Sequence, residues 1–458
     1  MVHQKSYERL RAGYASGEFS PVDVVISALN HAEELDQSLN AFALIDRERA
    51  LRLADASAQR WRENRPLSRL DGMPITVKEG AAVEGWTTKK GSLVTSDSPA
   101  AASTEFVRRL FDSGAVILGK TRAPEFSWKG VTDSPGFGVT RNPLDRDLTP
   151  GGSSGGCAAA VCAGVVRVSI GSDAGGSVRI PAAFTGTFGL KPTYARIPMV
   201  PMASEYFDVA HWGPIAASVA DMADVMEVIG GPSAGDHMSV GLAPVDYRSQ
   251  GDGQPLRIGV LDATMWGNCC VEVKEGMEIA QSLLASRGAV LSSVGFDVHG
   301  ASRVGDFFYR LGCQLVIQSI PDELRGNLDP RLPQFAKSAE SVSMSDMVAA
   351  QKRRDEFGID LHTLFDDIDV LMLPTLPILP FEAGRETPVN WPSDDWMSWN
   401  PYTPAFNVTR TPAISVPVFP TASSLPIGVQ FVAAKCREDL LMRAASIFDA
   451  VGENTMRV

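Results

Sequence analysis

This chain of 458 residues has few cysteines, no long apolar run and no excess of positive charge. The six cysteines lack the paired spacing of a zinc site, and a chain this long folds without a disulfide framework. We therefore expect a reducing, cytoplasmic compartment. The polar N-terminus shows no apolar signal-peptide core, and the most apolar run, residues 157–170, contains Arg167 and is too short to span a membrane. The sequence thus argues against a disulfide-rich secreted scaffold and predicts no membrane segment.

The charge balance argues against a second group of functions. The chain has 42 Lys and Arg against 54 Asp and Glu, which gives a net charge of −12. A surface of this sign repels nucleic acids and anionic lipids, so we expect neither as a partner. A hydrophobic content of 44% is ordinary for a soluble globular protein. The expected ligand is a small molecule, and the assembly that we consider beside the monomer is a homodimer.

Segments of strand length alternate with helical segments along the chain, which is typical of an α/β sheet. A helix is predicted to begin at Ser20-Pro21, where serine caps and proline occupies the first turn. Further predicted helices cover 47–61, 104–113, 273–284 and 439–451. The predicted strands are 41–45, 72–78, 116–119, 256–260, 290 onward, 369–374, 413–418 and 426–431. The length allows one large α/β domain or several smaller ones.

Two serines framed by glycines stand between Thr149 and Thr193. Ser153 lies in the sequence GGSSGG, and Ser177 lies in DAGGSVR. Glycines flank a reactive side chain where the backbone must turn sharply and approach a substrate closely. Since a short segment of small residues joins the two turns, we expect them to build one site.

A serine hydroxyl is a weak nucleophile until a base removes its proton. The six histidines stand in no recognisable triad motif, and no G-x-S-x-G elbow is placed as in an α/β-hydrolase. Lys78 ends a predicted apolar strand, where burial would lower its pKa and leave it neutral. We expect Lys78 to take a proton from Ser153, and Ser153 to take one from Ser177, which attacks a carbonyl.

The turn before the second serine is predicted to stabilise the oxyanion that this attack creates. The backbone N–H groups expected to donate to it are those of Ala174, Gly175, Gly176 and Ser177. Asp173 and Arg179 flank the turn, and we interpret them as a structural ion pair rather than as catalytic groups.

Each motif taken alone is compatible with a simpler role. GGSSGG is compatible with a phosphate cradle at a helix N-terminus, and a lysine at a strand end is usually a solvated charge. A phosphate-binding loop would place a lysine directly after the glycines, but Cys157 and Ala158 stand there. The combination of the two serines with Lys78 therefore favours catalysis.

These motifs together resemble the amidase signature family. The resemblance implies one α/β domain over residues 1–458, with a mixed, twisted sheet of about eleven strands covered by helices on both sides. Within it we expect a helical part (1–65), a signature core (66–225) and a C-terminal part (226–458) that completes the sheet and the substrate pocket. The matching blocks span nearly the whole chain and are 72–78, 119–126, 141–143, 151–156, 173–179, 189–193, 213–216, 374–375 and 425–430.

The resemblance also implies a role for each residue. Ser177 would be the nucleophile, Ser153 the bridging serine on a cis peptide bond, and Lys78 the base. Ser154 and Ser172 would hydrogen-bond the triad, and neither a cofactor nor a metal ion is implied. The expected reaction is hydrolysis of linear amides, with anilides and carbamates as related substrates, through an acyl-enzyme.

The alternative within the family is the glutaminase component of a tRNA-dependent amidotransferase, its A subunit. The stretch 202–213 lacks the serine-rich approach to Gly-Pro that we expect in such a protein.

Departures from the family pattern leave the substrate open. Arg122, Ala123 and the pair Asp133-Ser134 differ from the residues common in relatives at positions near the acyl pocket. Phe126 and Trp128 predict an apolar pocket, to which the loop 387–404 would add. The three tryptophans of that loop favour core packing or an interface over ligand contact.

Overall fold

A mixed β-sheet of eleven strands runs through the described part of the chain. The structure is a computed structural model that describes residues 1–201, 206–249, 251, 253–421 and 423–449. Two further short strands, β4 and β5, pair with each other outside the large sheet. The strands are β1 Phe42–Ile45, β2 Pro74–Lys78, β3 Val116–Thr121, β4 Asp133–Ser134, β5 Gly138–Val139, β6 Val168–Asp173, β7 Phe188–Lys191, β8 His211–Ala216, β9 Arg257–Leu261, β10 Val290–Val294, β11 Val370–Pro374, β12 Ala413–Val418 and β13 Ile427–Val432.

Helices connect the strands and cover the sheet. Short 3₁₀ segments also occur, at residues such as Glu125–Ser127, Phe207–Val209 and Trp396–Trp399. The α-helices are α1 Tyr7–Ser16, α2 Pro21–Leu39, α3 Arg47–Arg62, α4 Glu105–Asp112, α5 Gly155–Cys162, α6 Arg179–Thr185, α7 Val219–Ile229, α8 Val271–Ser286, α9 Val298–Ser319, α10 Arg331–Ala336, α11 Met344–Leu364, α12 Pro404–Val408 and α13 Glu438–Ser446.

The strands of the large sheet follow the order β1-β3-β2-β6-β8-β7-β12-β13-β11-β9-β10. β2 pairs in parallel with β3 and β6, and β9 pairs in parallel with β10 and β11. The pairs from β6 through β8, β7, β12 and β13 to β11 are antiparallel, as is the pair of β1 with β3. This sheet confirms the predicted α/β domain with about eleven strands in mixed directions.

Alternating side chains of the central strands pack against helices on opposite faces of the sheet. Ile117 of β3 belongs to a buried cluster that includes residues of α1, α4 and α7. Its neighbours Val116 and Leu118 belong to another cluster, with residues of α2, α3 and α5. The fully buried strand β3 therefore has helices packed on both of its faces.

Local sequence signals predicted the ends of several elements correctly. Ser20 and Asp23 form a reciprocal capping box at the start of α2, with Pro21 in its first turn. The predicted strands 256–260 and 426–431 begin and end one residue early, and the predicted end of the last helix at Val451 lies outside the described residues.

All six cysteines are free thiols. Among the described helices, none combines the length and apolarity needed to cross a bilayer.

Candidate active site

The carboxyl ends of two adjacent parallel strands bring the predicted lysine and the second serine together. β2 ends at Lys78, and its neighbour β6 ends at Asp173, shortly before Ser177. Parallel neighbours end at the same edge of a sheet, where ligand sites of α/β folds commonly form. Ser153 reaches this edge from the loop that precedes α5, a helix in contact with β6. The sheet topology thus assembles three segments distant in sequence.

Lys78 lies buried between two serine hydroxyls. Its Nζ donates to Ser153 Oγ at 2.7 Å and to Ser172 Oγ at 3.0 Å, and the side chain is 1% exposed. Burial lowers the pKa of Lys78 to about 8, although the nearby Cys157, Glu79 and Asp173 act in the opposite direction. A lysine with this pKa is partly neutral near pH 7 and is able to accept a proton.

Ser153 follows a cis peptide bond from Gly152, as the family resemblance implied. Gly152 packs so closely that a Cβ there would lie 2.5 Å from the backbone carbonyl carbon of Val131. Ser154 hydrogen-bonds both backbone groups of Ser172 through its Oγ at 3.1 Å, and its N–H donates to the Ser177 carbonyl at 3.1 Å. Ser172 thus contacts Lys78 directly, whereas Ser154 ties together the strands and loops around it.

Asp173 and Arg179 form the predicted structural ion pair. Their side chains are fully buried, with Nη2 and Oδ1 separated by 2.9 Å. Burial alone would raise the pKa of Asp173, but the Arg179 guanidinium holds it well below its usual range. Arg179 also donates to the Thr403 carbonyl, to Gln430 Oε1 and to Asn407 Oδ1. This pair therefore anchors the serine loop to the C-terminal part of the chain.

The peptide between Gly175 and Gly176 is held on both sides. Its carbonyl accepts from Asn400 Nδ2 and from Thr403 Oγ1, each at 2.7 Å, and its N–H donates to Asp173 Oδ1 at 2.7 Å. Gly176 has a φ of 120°, and a Cβ there would lie 2.1 Å from Thr403 Oγ1. A glycine is therefore required at this position by both the backbone angle and the available space.

This arrangement changes the expected set of oxyanion donors. The N–H of Gly176 is directed at Asp173 and is not available to a substrate, contrary to our prediction. The N–H groups of Ala174, Gly175 and Ser177 have no partner within the described part of the chain. These three groups remain candidates for binding a developing negative charge.

One cavity of about 110 Å³ contains both predicted serines. Phe126 lines it as predicted, and its backbone carbonyl accepts from the hydroxyl of Tyr206 at 2.9 Å. The wall is mainly apolar, as the sequence led us to expect. The described lining residues are Gly80, Lys90, Phe126, Ser127, Ser153, Ser172, Ala174, Ser177, Met199, Tyr206, Ala210 and Trp212.

Trp128 does not line the serine cavity, so this part of the prediction is wrong. Phe126 and Ser127 both adopt left-handed backbone angles, with φ of 47° and 62°. The chain therefore turns sharply, and Trp128 packs against Phe335 at 5.4 Å between ring centroids, on the wall of a separate cavity. In the tryptophan loop, Trp396 and Trp399 are almost fully buried in the same apolar cluster, in agreement with the expected core packing.

Three carboxylates converge nearby, but they surround a lysine. Asp133, Asp329 and Glu386 lie close enough together to share a cation. The Lys129 ammonium donates to Asp329 at 3.0 Å and to Glu386 at 2.9 Å, and it also pairs with Asp133. Lys129 is fully buried, and Arg331 also pairs with these carboxylates, so two cations face the three acidic groups. We interpret the cluster as a structural ion network.

Comparison with known proteins agrees with this geometry. A family model described as amidase matches residues 23–442. The chain belongs to the amidase signature family. It is 31% identical to an acylamidase of Rhodococcus erythropolis, over 98% of this chain and 96% of that protein. It is 30% identical to the A subunit of the glutamyl-tRNA(Gln) amidotransferase of Alkaliphilus metalliredigens, over 97% and 96%.

A solved structure extends this likeness to the fold. The crystal structure of a bacterial aryl acylamidase of the amidase signature family superimposes with a TM-score of 0.89 at 26% identity. The match covers 99% of this chain and 98% of that one. The chain is therefore an amidase signature hydrolase over its length, and its relatives include both acylamidases and amidotransferase subunits.

Sequence analysis missed several residues of this candidate site. Asn400, Thr403, Asn407 and Gln430 hold the serine loop from more than 220 positions away in the chain. Gln430 offered a signal, because it is a polar residue within the apolar strand β13. The other three lie in or next to the tryptophan loop, where nothing local marks them as partners of Asp173 and Gly175.

Proposed function

We propose that the chain hydrolyses the C–N bond of linear amides, including anilides and carbamates, through an acyl-enzyme on Ser177. The observation that carries the proposal is the buried Lys78 amine, 2.7 Å from Ser153 Oγ, with a pKa lowered to about 8. A lysine in this state is suited to serve as a base, and Ser153 lies in the same cavity as Ser177.

In the first half-reaction, Ser177 Oγ attacks the amide carbonyl carbon. Its proton passes to Ser153, whose own proton passes to Lys78. The oxyanion is stabilised by the N–H groups of Ala174, Gly175 and Ser177. The C–N bond then breaks while Ser153 returns a proton to the leaving nitrogen, since an amine anion is a very poor leaving group.

In the second half-reaction, water attacks the ester carbonyl of acylated Ser177. Ser153 and Lys78 accept the proton of this water, as they accepted the serine proton before. The ester C–O bond breaks, the carboxylic acid is released, and the proton returns to Ser177. No atom is consumed from the protein, so the cycle is complete.

The cavity favours an uncharged acyl group. Phe126, Met199, Tyr206 and Trp212 contribute apolar surface, and Lys90 is the charged side chain within the described lining. A volume of about 110 Å³ suits a short acyl chain or a single ring rather than a long chain. The likeness to acylamidases supports the same class of substrate.

The second candidate is a glutaminase component of a tRNA-dependent amidotransferase, which the likeness to such subunits supports. Glutamine carries an ammonium and a carboxylate, and each needs a partner of opposite charge. The described lining offers Lys90 for the carboxylate and no acidic side chain for the ammonium. Residues 202–205, at the start of the stretch that we compared with amidotransferase subunits, lie outside the described residues.

The test is a substrate panel on the purified chain, with aryl amides, alkyl amides, carbamates and glutamine compared by kcat/KM. We expect acyl anilides and short amides to be cleaved without a partner. A glutaminase activity that needs added subunits would instead establish the second candidate.

The nucleophile is tested separately with Ser177→Ala. This change should lower kcat by about 10⁴-fold or more and abolish the acyl-serine adduct seen by mass spectrometry. Ser169→Ala is a matched control, because Ser169 is a buried serine on β6 that bonds Thr76 outside the cavity. Undiminished turnover by Ser177→Ala would rule out Ser177 as nucleophile.

A further inference from the structure

A basic groove of about 370 Å³ lies far along the chain from the catalytic serines. It is formed by α11, by the residues that follow α12 and by those that follow β13, and it shares no lining residue with the serine cavity as described. Its titratable lining residues are Arg354, Asp355, His362, Arg410 and Lys435.

Arg354 lines this groove, and its side chain is only 5% exposed. Its Nε donates to the Val408 carbonyl at 2.8 Å, and its Nη1 donates to Asp208 Oδ1 at 2.6 Å. Its Nη2 is buried and has no partner among the residues that the structure describes. A buried guanidinium N–H without an acceptor is destabilising, so this donor favours an acceptor within reach.

Arg410 lines the same groove, and it too has a buried N–H donor without an acceptor among the described residues. It pairs with the other carboxylate oxygen of Asp208, while its Nε is buried and unpartnered within the described chain. Its backbone adopts a left-handed φ of 62°, which is uncommon for a residue with a long side chain. Two arginines therefore share one carboxylate, and each retains an unmet donor.

Lys435 adds a third cation to the groove lining, and its side chain is exposed. Nothing in the described residues accepts a hydrogen bond from its Nζ. Partial desolvation in the groove and the positive charges of Arg410 and Arg354 lower the pKa of Lys435. The acidic groups nearby are Asp208, which the arginines share, and Asp355, which accepts from Gln351 at 3.1 Å. Three cations thus face two carboxylates, in a chain whose net charge is −12.

The groove also has an apolar wall. Ile359 and Phe365 contribute it from the α11 side, and Val408 and Ala434 contribute it from the opposite side. A free phosphate ion would fill a small part of about 370 Å³, so the space suits a ligand with both an anionic group and an apolar body.

We propose that this groove binds a small organic anion whose phosphate or carboxylate group accepts hydrogen bonds from Arg354, Arg410 and Lys435. Planar guanidinium groups recognise both oxyanions, and the apolar wall contacts the remainder of the ligand. Asp208, which the two arginines share, belongs to the segment that contains two residues lining the serine cavity, Tyr206 and Ala210.

Isothermal titration calorimetry at constant ionic strength tests the proposal, with phenyl phosphate, benzoate, inorganic phosphate and chloride as probes. We expect saturable binding of phenyl phosphate or benzoate that is tighter than that of inorganic phosphate, and no saturable binding of chloride. The stronger of the two aromatic probes identifies the anionic group. Absence of saturable binding by both would refute the proposal.

Variants locate the binding in the groove. Lys435→Gln and Arg410→Gln should each weaken binding by about tenfold or more, since each removes a charged hydrogen bond. Lys352→Gln is the matched control, because it removes an exposed charge from α11 outside the groove, and binding should be unchanged. Lys435 is exposed, so its replacement leaves the fold intact even if an arginine variant does not. Equal affinity in the wild type and Lys435→Gln would show that the anion binds elsewhere.

Discussion

The rate of amide hydrolysis should rise with pH through the pKa of Lys78. Only the neutral amine is able to accept the proton that Ser153 relays, so kcat/KM follows the neutral fraction of Lys78 in the free enzyme. Burial lowers this pKa from 10.5 to about 8. The inflection is therefore expected near pH 8 rather than above pH 10.

The expected change is large enough to measure with a chromogenic anilide. For a pKa of about 8, the neutral fraction is roughly 50% at pH 8, about 9% at pH 7 and about 1% at pH 6. The value of kcat/KM should thus fall about 50-fold between pH 8 and pH 6. A lysine with an ordinary pKa of 10.5 would be only about 0.3% neutral at pH 8, and the rate would keep rising beyond pH 10.

Two variants distinguish Lys78 from other groups that titrate in this range. Lys78→Arg keeps a positive charge but cannot become neutral below pH 12, so activity should be lost across the range, as in Lys78→Ala. Lys120→Gln is the control, because burial also lowers the pKa of Lys120 to about 8, but its Nζ donates to Thr87 and Thr88 rather than to a cavity serine. Its profile should keep the wild-type inflection. A flat profile from pH 6 to pH 9, or near-wild-type rates in Lys78→Arg, would refute the base assignment.

Three substitutions test the frame of the site. Gly176→Ala should lower the free energy of unfolding by about 2–4 kcal/mol in urea titrations, because the new Cβ meets Thr403 at a φ of 120°; a fully stable, active variant would contradict this. Asp173→Asn leaves Arg179 buried without its carboxylate and should lower the free energy of unfolding by about 3–5 kcal/mol. The double variant with Arg179→Met should lose less stability than Asp173→Asn alone, and losses that simply add would contradict the pairing. Trp128→Ala should lower the melting temperature and leave KM unchanged, since the ring lies outside the serine cavity. A raised KM would show that Trp128 contributes to substrate binding.

The sequence predicted the parts of the site that depend on short-range patterns. The apolar strand ending at Lys78 and the two glycine-framed serines are local features, and the alternation of strands and helices implied that they lie on an α/β sheet. The one-residue errors at strand ends arise because pairing with a neighbour, and not local composition, decides where a strand begins. The expected ion pair of Asp173 with Arg179 was also local, because its two residues are six positions apart in the chain.

Trp128 shows where local reasoning fails. Trp128 is two positions from Phe126, so it would share the surroundings of Phe126 if the backbone continued in one direction. Successive left-handed residues at Phe126 and Ser127 reverse the chain instead. Neither is a glycine or asparagine, so no composition signal marks the turn. The hydroxyls of Tyr206 and Tyr309, distant in sequence, support this geometry by donating to the carbonyls of Phe126 and Ser127.

The serine loop also shows why the catalytic motifs cannot form the site alone. The carbonyl of Gly175 and the side chain of Arg179 are held by Asn400, Thr403 and Asn407, all from the C-terminal part of the chain. Oxyanion donors act only when fixed in advance, because their reorientation during the reaction would remove the advantage over water. The orientation of the Gly175–Gly176 peptide, and with it the directions of the neighbouring N–H groups, therefore depends on segments that carry no catalytic side chain. In the mechanism that we propose, the residues in and just before α12 therefore act as positioning residues for the oxyanion donors of the loop that they hold.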